Sequence, residues 1–298
     1  MKKLITVSIL TLTMNSAIAQ IREFQTTRLN SSAGAGVASI LSTEAAILNP
    51  AAAAYFEEGA ISYQSYKANL QKKNDARDTI PDKFSKQNLS QALFISDYSG
   101  KVKGGVAYID QAENRYDRTR AIFHAASPMG KTSALGFSYN YINDRLPSGT
   151  KNRHRVHHQM NVGLTEILSE DLTMGLVIQD VTRTTPGEER VLLGFQYKLT
   201  EKIVAIADTG AQYTKSYKKD NLWRAALQVN LFQDVFVRGG KFEDNVQDFR
   251  GYGWGIGWIG PRLGIEFAQK ISDHFGKNTY IYKDERIVDS SLSAVIKF

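Results

Sequence analysis

From about residue 59 onward, apolar and polar positions alternate with a period of two, in segments of roughly 10–12 residues, the length a tilted transmembrane strand needs. Residues 249–258 put Tyr252, Trp254, Ile256 and Trp258 on one face and Gly251, Gly253, Gly255 and Gly257 on the other. Residues 188–199 set Val191, Leu193, Phe195, Tyr197 and Leu199 against Gly194, Gln196 and Lys198. Residues 221–231 set Trp223, Ala225, Leu227, Val229 and Leu231 against Arg224, Gln228 and Asn230. One face is apolar enough for lipid. The other is polar or tiny, unlike the packed inner face of a soluble sandwich.

The connections alternate too. Tight turns are readable at 98–101, 127–130, 168–171, 199–202, 231–234 and 259–262. Longer polar loops lie between them at about 71–87, 111–118, 143–154, 182–189, 212–221, 241–249 and 271–286. Short periplasmic turns and longer external loops are the outer-membrane barrel arrangement. The pattern predicts an all-β, antiparallel transmembrane β-barrel of about 14 strands over residues 59–298. Those strands fall at about 59–70, 88–97, 102–110, 117–126, 132–143, 155–167, 172–182, 189–199, 203–212, 222–231, 235–241, 249–258, 262–271 and 287–298. In the last, Leu292, Ala294, Ile296 and Phe298 share a face. Alternation ending on a terminal aromatic resembles the C-terminal signal read by the barrel assembly machinery, which makes Phe298 the candidate assembly signal.

The start of the chain explains how such a barrel would leave the cytoplasm. Lys2 and Lys3 precede a short apolar stretch, and Ala17-Ile18-Ala19 forms a small-residue cleavage site, so residues 1–19 read as a secretory signal peptide. There are no cysteines, which excludes disulfides, a lipid-anchored cysteine and Cys-based metal sites. A mean hydropathy of −0.31 does not separate a soluble protein from a barrel whose alternate residues face lipid. The formal net charge of +7 suits anionic neighbours such as outer-membrane lipids and lipopolysaccharide. No basic stripe with interleaved aromatics points to nucleic acid.

Residues 20–58 do not alternate. Ser31-Ser32-Ala33-Gly34-Ala35-Gly36-Val37-Ala38 is small and flexible. Ser42, Thr43 and Glu44 can cap a short helix over Ala45, Ala46, Ile47 and Leu48, which Asn49-Pro50 ends, because the residue before proline is pushed from the helical region. Such a stretch suits a compact plug inside the lumen, where many glycines leave room. A disordered periplasmic leader is the alternative.

Phe24, the Ser32–Ala38 run, Asn49-Pro50-Ala51 and an apolar pair before the first strand together resemble the N-terminal hatch of the FadL family of outer-membrane fatty-acid and hydrophobic-compound transporters. The resemblance implies a fourteen-stranded barrel, a plug or gate at Asn49, Pro50, Ala51, Tyr55 and Phe56, and a small hydrophobic substrate. The external loops here are brief, without the long helical insertions on which that family captures ligands. The compact PorV- and PorQ-like barrels of type IX secretion have a similar N-terminal segment, which keeps a scaffolding role open.

No catalytic set, metal site or cofactor is expected. His124, His154, His157, His158 and His274 are the only histidines, and 153–158 reads as a basic loop rim facing lipopolysaccharide phosphates. G-x-S-x-G and P-loop patterns are absent. The same alternation turns Arg224, Arg238, Arg262, Glu266 and Lys270 into the lumen, together with Arg120, His124 and Lys198, because a charge on the lipid face costs about 2–4 kcal/mol near the midplane. These groups either attract anionic solutes or hold the plug through Glu44, Glu57 or Glu58.

Overall fold

The structure, a computed structural model, describes residues 22–40, 45–72, 89–113, 116–145, 154–185, 187–215, 217, 219–275 and 285–298. The expected signal peptide (1–19), the helix cap at 42–44 with its Glu44, and most of the loops expected at 71–87, 143–154 and 271–286 lie outside them.

Among the described residues fourteen strands form one closed antiparallel barrel. They are β1 (Ala60–Lys72), β2 (Leu89–Asp97), β3 (Lys103–Glu113), β4 (Tyr116–Pro128), β5 (Ser133–Arg145), β6 (His154–Ile167), β7 (Leu172–Gln179), β8 (Arg190–Thr200), β9 (Ile203–Gln212), β10 (Asn221–Asn230), β11 (Val235–Asp244), β12 (Phe249–Ile259), β13 (Leu263–His274) and β14 (Glu285–Lys297). Each strand pairs with its sequence neighbours, and β1 pairs with β14 from Ala60↔Lys297 to Lys72↔Glu285. The seam continues one residue further, where Gly59 and Phe298 exchange both backbone hydrogen bonds at 3.0 Å. Closure leaves no strand edge, the one way a sheet can satisfy its backbone in lipid.

Period-two alternation decides the two faces. Tyr252, Trp254, Ile256 and Trp258 point outward and are each at least 40% exposed, while their glycine neighbours on β12 face the lumen. Phe137, Phe195, Trp223, Leu227, Phe267 and Leu292 continue this apolar surface around the wall. So large an exposed apolar belt is stable against lipid, not water. The described helices are far too short to cross a membrane.

Two expected loops shrink. β3 and β4 run to within two residues of each other, and β11 reaches Asp244, leaving only 245–248 before β12. There Asp244 accepts the amides of Val246 and Gln247. Gln111, Arg118 and Asp244 are buried on the lumen side, so their polarity marks the inside of a strand and not a loop. β7 departs the other way: it stops at Gln179, well short of the top of β6. The 180–189 segment takes its place against β6, with Val181 N–H on Met160 O and the Thr182 and Thr184 hydroxyls on His158 O.

Candidate functional site

Residues 22–40 and 45–59 lie inside the lumen. Helix α1 (Thr27–Ser31) begins at Thr26, whose hydroxyl accepts the Leu29 amide, and packs against β11–β14. The chain reverses through Ala33 and Gly34, at φ 54° and 89°. Gly36 and Val37 then aim their amides at one carboxylate, Asp208 of β9, at 2.7 and 3.2 Å. Helix α2 (Ala45–Leu48) leads to Asn49, which caps a 3-10 helix, Pro50–Tyr55, lying against β3–β6. Asn49 works in two directions. Its Oδ1 accepts the Ala51 amide at 3.1 Å, and its Nδ2 donates to Val37 O at 2.7 Å and Thr165 Oγ1 at 3.0 Å. Pro50 suits the first helical position because its missing N–H would be unsatisfied there in any case. Phe24, Leu29, Val37, Ile47 and Leu48 make one apolar core with Phe94, Ile109, Ile122, Val177, Leu192 and Leu222 of the wall.

The wall fits this segment because it carries glycines at the contact points. A Cβ on Gly253 would strike Asn30 O, and one on Gly136 would strike the Pro50–Ala51 peptide. One on Gly240 would lie 2.5 Å from Ser32 O. The small lumen face read from the sequence is therefore a set of sockets for backbone.

The inward charges hold the segment by polar contacts that the sequence did not assign. Arg224 donates to Gly34 O at 3.0 Å, Arg238 to Ser31 Oγ at 2.9 Å, and Lys270 to Gln25 Oε1 at 2.8 Å. Glu266 lies 3.6 Å from Arg238. Arg22 pairs with Asp289 at 2.9 Å. Glu57 and Glu58, expected as anchors, are exposed instead. Arg262 is a correction: β13 begins only at Leu263, so Arg262 sits exposed in the turn after β12 and not in the lumen. Lys198 is likewise exposed at the turn end of β8. His124 is buried, and neither ring nitrogen has a hydrogen-bond partner among the described residues. Phe298 is exposed beside Gly59 at the seam.

At the loop end a buried ionic layer crosses the lumen. Glu188, on the segment that replaces the top of β7, meets Arg118 at 2.7 Å and Arg120 at 3.1 Å, and accepts from Gln159 at 2.9 Å. Asp144 holds Arg118 from the other side at 2.6 Å, with His157 at 3.5 Å from Asp144. Arg190 joins Asp244 at 3.1 Å and Glu23 at 3.7 Å. Burial acts to raise the Glu188 carboxyl, but the Arg120 and Arg118 charges outweigh it and hold it down at about 2. His157 therefore belongs to this inner layer. Only His154 and His158 of that stretch stay on the outside, His158 bonded to the Tyr139 hydroxyl at 2.6 Å.

At the turn end lies the large space, a cavity of about 560 Å³. Tyr55, Phe56, Tyr98, Phe236, Ile259 and Val295 supply apolar surface, and Arg28, Glu57, Glu58, Glu266 and Lys297 supply charge. Phe56 and Tyr98 pack ring to ring at 5.2 Å. Tyr55 donates to Thr132 O at 2.5 Å, and burial together with nearby Glu166 pushes its hydroxyl up to about 12. Of the expected plug residues, Tyr55 and Phe56 line this cavity. Asn49 instead borders a separate space of about 20 Å³ inside the plug, and Pro50 and Ala51 are packed against β5. Asp208, Glu188, Asp289 and Arg22 were missed. Alternation gives the inward face of Asp208 and Asp289, but their partners lie at distant sequence positions.

No protein-family model and no curated protein matches the sequence. Solved structures do. The CymD monoaromatic hydrocarbon channel superposes with a TM-score of 0.70 at 11% identity, over 92% of this chain and 97% of that one. The Pseudomonas putida toluene transporter TodX gives 0.63 at 11% identity, over 93% and 98%. The Ralstonia pickettii toluene transporter TbuX gives 0.59 at 12% identity, over 92% and 97%. The chain shares the fold of these channels over nearly its whole length.

Proposed function

We propose that this chain is a bacterial outer-membrane barrel, not an enzyme, that passively takes up small hydrophobic or amphipathic solutes through a plugged lumen. The observation that carries the reading is the cavity of about 560 Å³ between the plug and the turn-end wall, faced by Tyr55, Phe56, Tyr98 and Phe236. A pocket of that volume, with aromatic and aliphatic surface set beside charged and polar groups, suits a small hydrophobic or amphipathic ligand. The hatch-like residues Asn49, Pro50 and Ala51 and the fold shared with monoaromatic hydrocarbon channels support the same class. On this reading residues 1–19 are the export signal, 20–58 the plug, 59–298 the barrel, and the strand ending at Phe298 the segment that the assembly machinery reads. Lipid and lipopolysaccharide surround the apolar belt.

The test is uptake by intact cells, whose lipopolysaccharide leaflet slows bare diffusion of hydrophobic solutes. Cells expressing the chain should take up labelled toluene or fatty acid faster than cells without it, with no gain for a polar sugar. Phe236→Glu should abolish the gain. Equal uptake with and without the chain defeats the reading.

A second reading is a non-transporting scaffold or secretion-associated docking barrel. The tightness of the lumen above the cavity favours it, since the two described spaces there are about 20 and 30 Å³, each about the size of a water. Wild-type uptake at background level would select it.

A further inference from the structure

Three described spaces of the lumen lie one above another along the barrel axis, and the strand register orders them. Asn230, Phe236 and Glu266, which share one register line, border the large cavity; Arg238, two residues nearer the loop end, borders the 20 Å³ space; Lys270 and Arg224, nearer still, border the 30 Å³ space. The middle space is a cleft between the two halves of the plug, with Leu29 and Ser32 on one side and Leu48 and Asn49 on the other. Among the described residues, one side chain borders both this cleft and the large cavity below: Arg28, in the last turn of α1.

Arg28 differs from the other arginines around the cleft. Arg238 is tied to Gln228 at 2.7 Å, to Ser31 and to Glu266, and Arg224 to Gly34. The Arg28 guanidinium has no hydrogen bond or ion pair among the described residues. Moving it breaks no bond, and the cavity beneath has room for it. Side-chain rotamers exchange far faster than helices shift.

We infer that Arg28 is the stopper between the plug cleft and the turn-end cavity, a swinging side chain that sets whether solute passes the plug while both plug helices stay docked. The inference rests on the uptake reading and identifies the residue that controls its path.

Planar-bilayer recording of the purified full chain in potassium chloride tests it, with potassium and chloride as the probes. Pore conductance follows the width and lining of the narrowest point. Arg28→Ala should raise single-channel conductance severalfold, and Arg28→Lys should remain near wild type. Because the chain has no native cysteine, Arg28→Cys adds a reversible control. It should conduct like Arg28→Ala, and a methanethiosulfonate ethylammonium reagent should close it by building a cation of similar length on the sulfur. Heat-modifiable gel mobility checks that each variant is a folded barrel. Wild-type conductance in folded Arg28→Ala, or in Arg28→Cys before labelling, overturns the inference. So does a fully labelled Arg28→Cys that stays open. Binding of labelled toluene to the same proteins in nanodiscs is read separately. Binding with unchanged conductance fails the stopper alone, and no binding fails the uptake reading.

Discussion

Asp208 shows how one side chain can fix a segment with little side-chain surface of its own. The turn at 33–37 is built from Ala, Gly and Val, so its polar handles are its own amides. Two of them converge on the buried Asp208 carboxylate, and Gly194 leaves the space that carboxylate occupies. Hydrogen bonds to a charged group contribute about 1.5–3 kcal/mol each, so Asp208→Ala should loosen the docked plug by a few kcal/mol. Hydrogen exchange is the measurement: amides 34–38 should lose protection while β12 and β13 keep theirs. Glu188 makes a pH prediction. Its folded carboxyl is held down at about 2, below the usual 4.5. Its stabilisation is therefore complete above the usual carboxylate range and is lost as pH falls through about 2. Pepsin should leave 180–189 intact at pH 4 and cut it near pH 2, and cutting at both would disprove that the Glu188 ion pairs hold this segment. At neutral pH, Glu188→Ala strands Arg120 in a buried site and leaves Arg118 with Asp144 alone. It should cost about 3 kcal/mol or more, read as a lower urea midpoint in micelles.

At the scale of elements, strands and plug obey different rules. A strand here is specified by alternation, so its existence is legible from Tyr252-Gly253-Trp254-Gly255 alone. The plug helices are too short to be stable by themselves and take their shape from the wall. That explains why the sequence supports a compact plug without revealing its docking. Gly136 and Gly253 read only as small, whereas their contacts with Ala51 and Asn30 join positions far apart in the chain. A β-branched residue at either glycine suits a strand and should leave the barrel folded. It has no room beside the plug. Gly136→Val or Gly253→Val should therefore run as a heat-modifiable barrel whose residues 45–58 or 22–39, respectively, become open to protease. Protection equal to wild type would show that the wall yields.

For the whole molecule, the number of strands was legible because strands such as β2, β5 and β12 alternate outward apolar residues with inward polar or small ones. Arg262 and the loops expected at 111–118 and 241–249 were not, since in a barrel polar residues occur in turns, loops and lumen alike. The ionic layer was not legible either: Arg118, Asp144 and Glu188 come from separate elements, and only closure brings them together. The apolar belt carries its own prediction. Trp254→Arg should cost about 2–4 kcal/mol if the side chain lies near the bilayer midplane, and less toward either interface. Urea unfolding of the variant in lipid vesicles measures it.

The seam between β1 and β14 also dictates an order of events. Residues 22–40 and 45–59 are encircled by a wall whose sockets and charges match them at many points. A chain cannot thread such a segment into a finished ring without pulling every one of those contacts through a crowded bore. The ring must therefore be wrapped around its contents, with the first strand waiting beside an already seated plug until the fourteenth arrives. A variant that seats its plug late should therefore accumulate as an open sheet, with β1 and β14 unpaired.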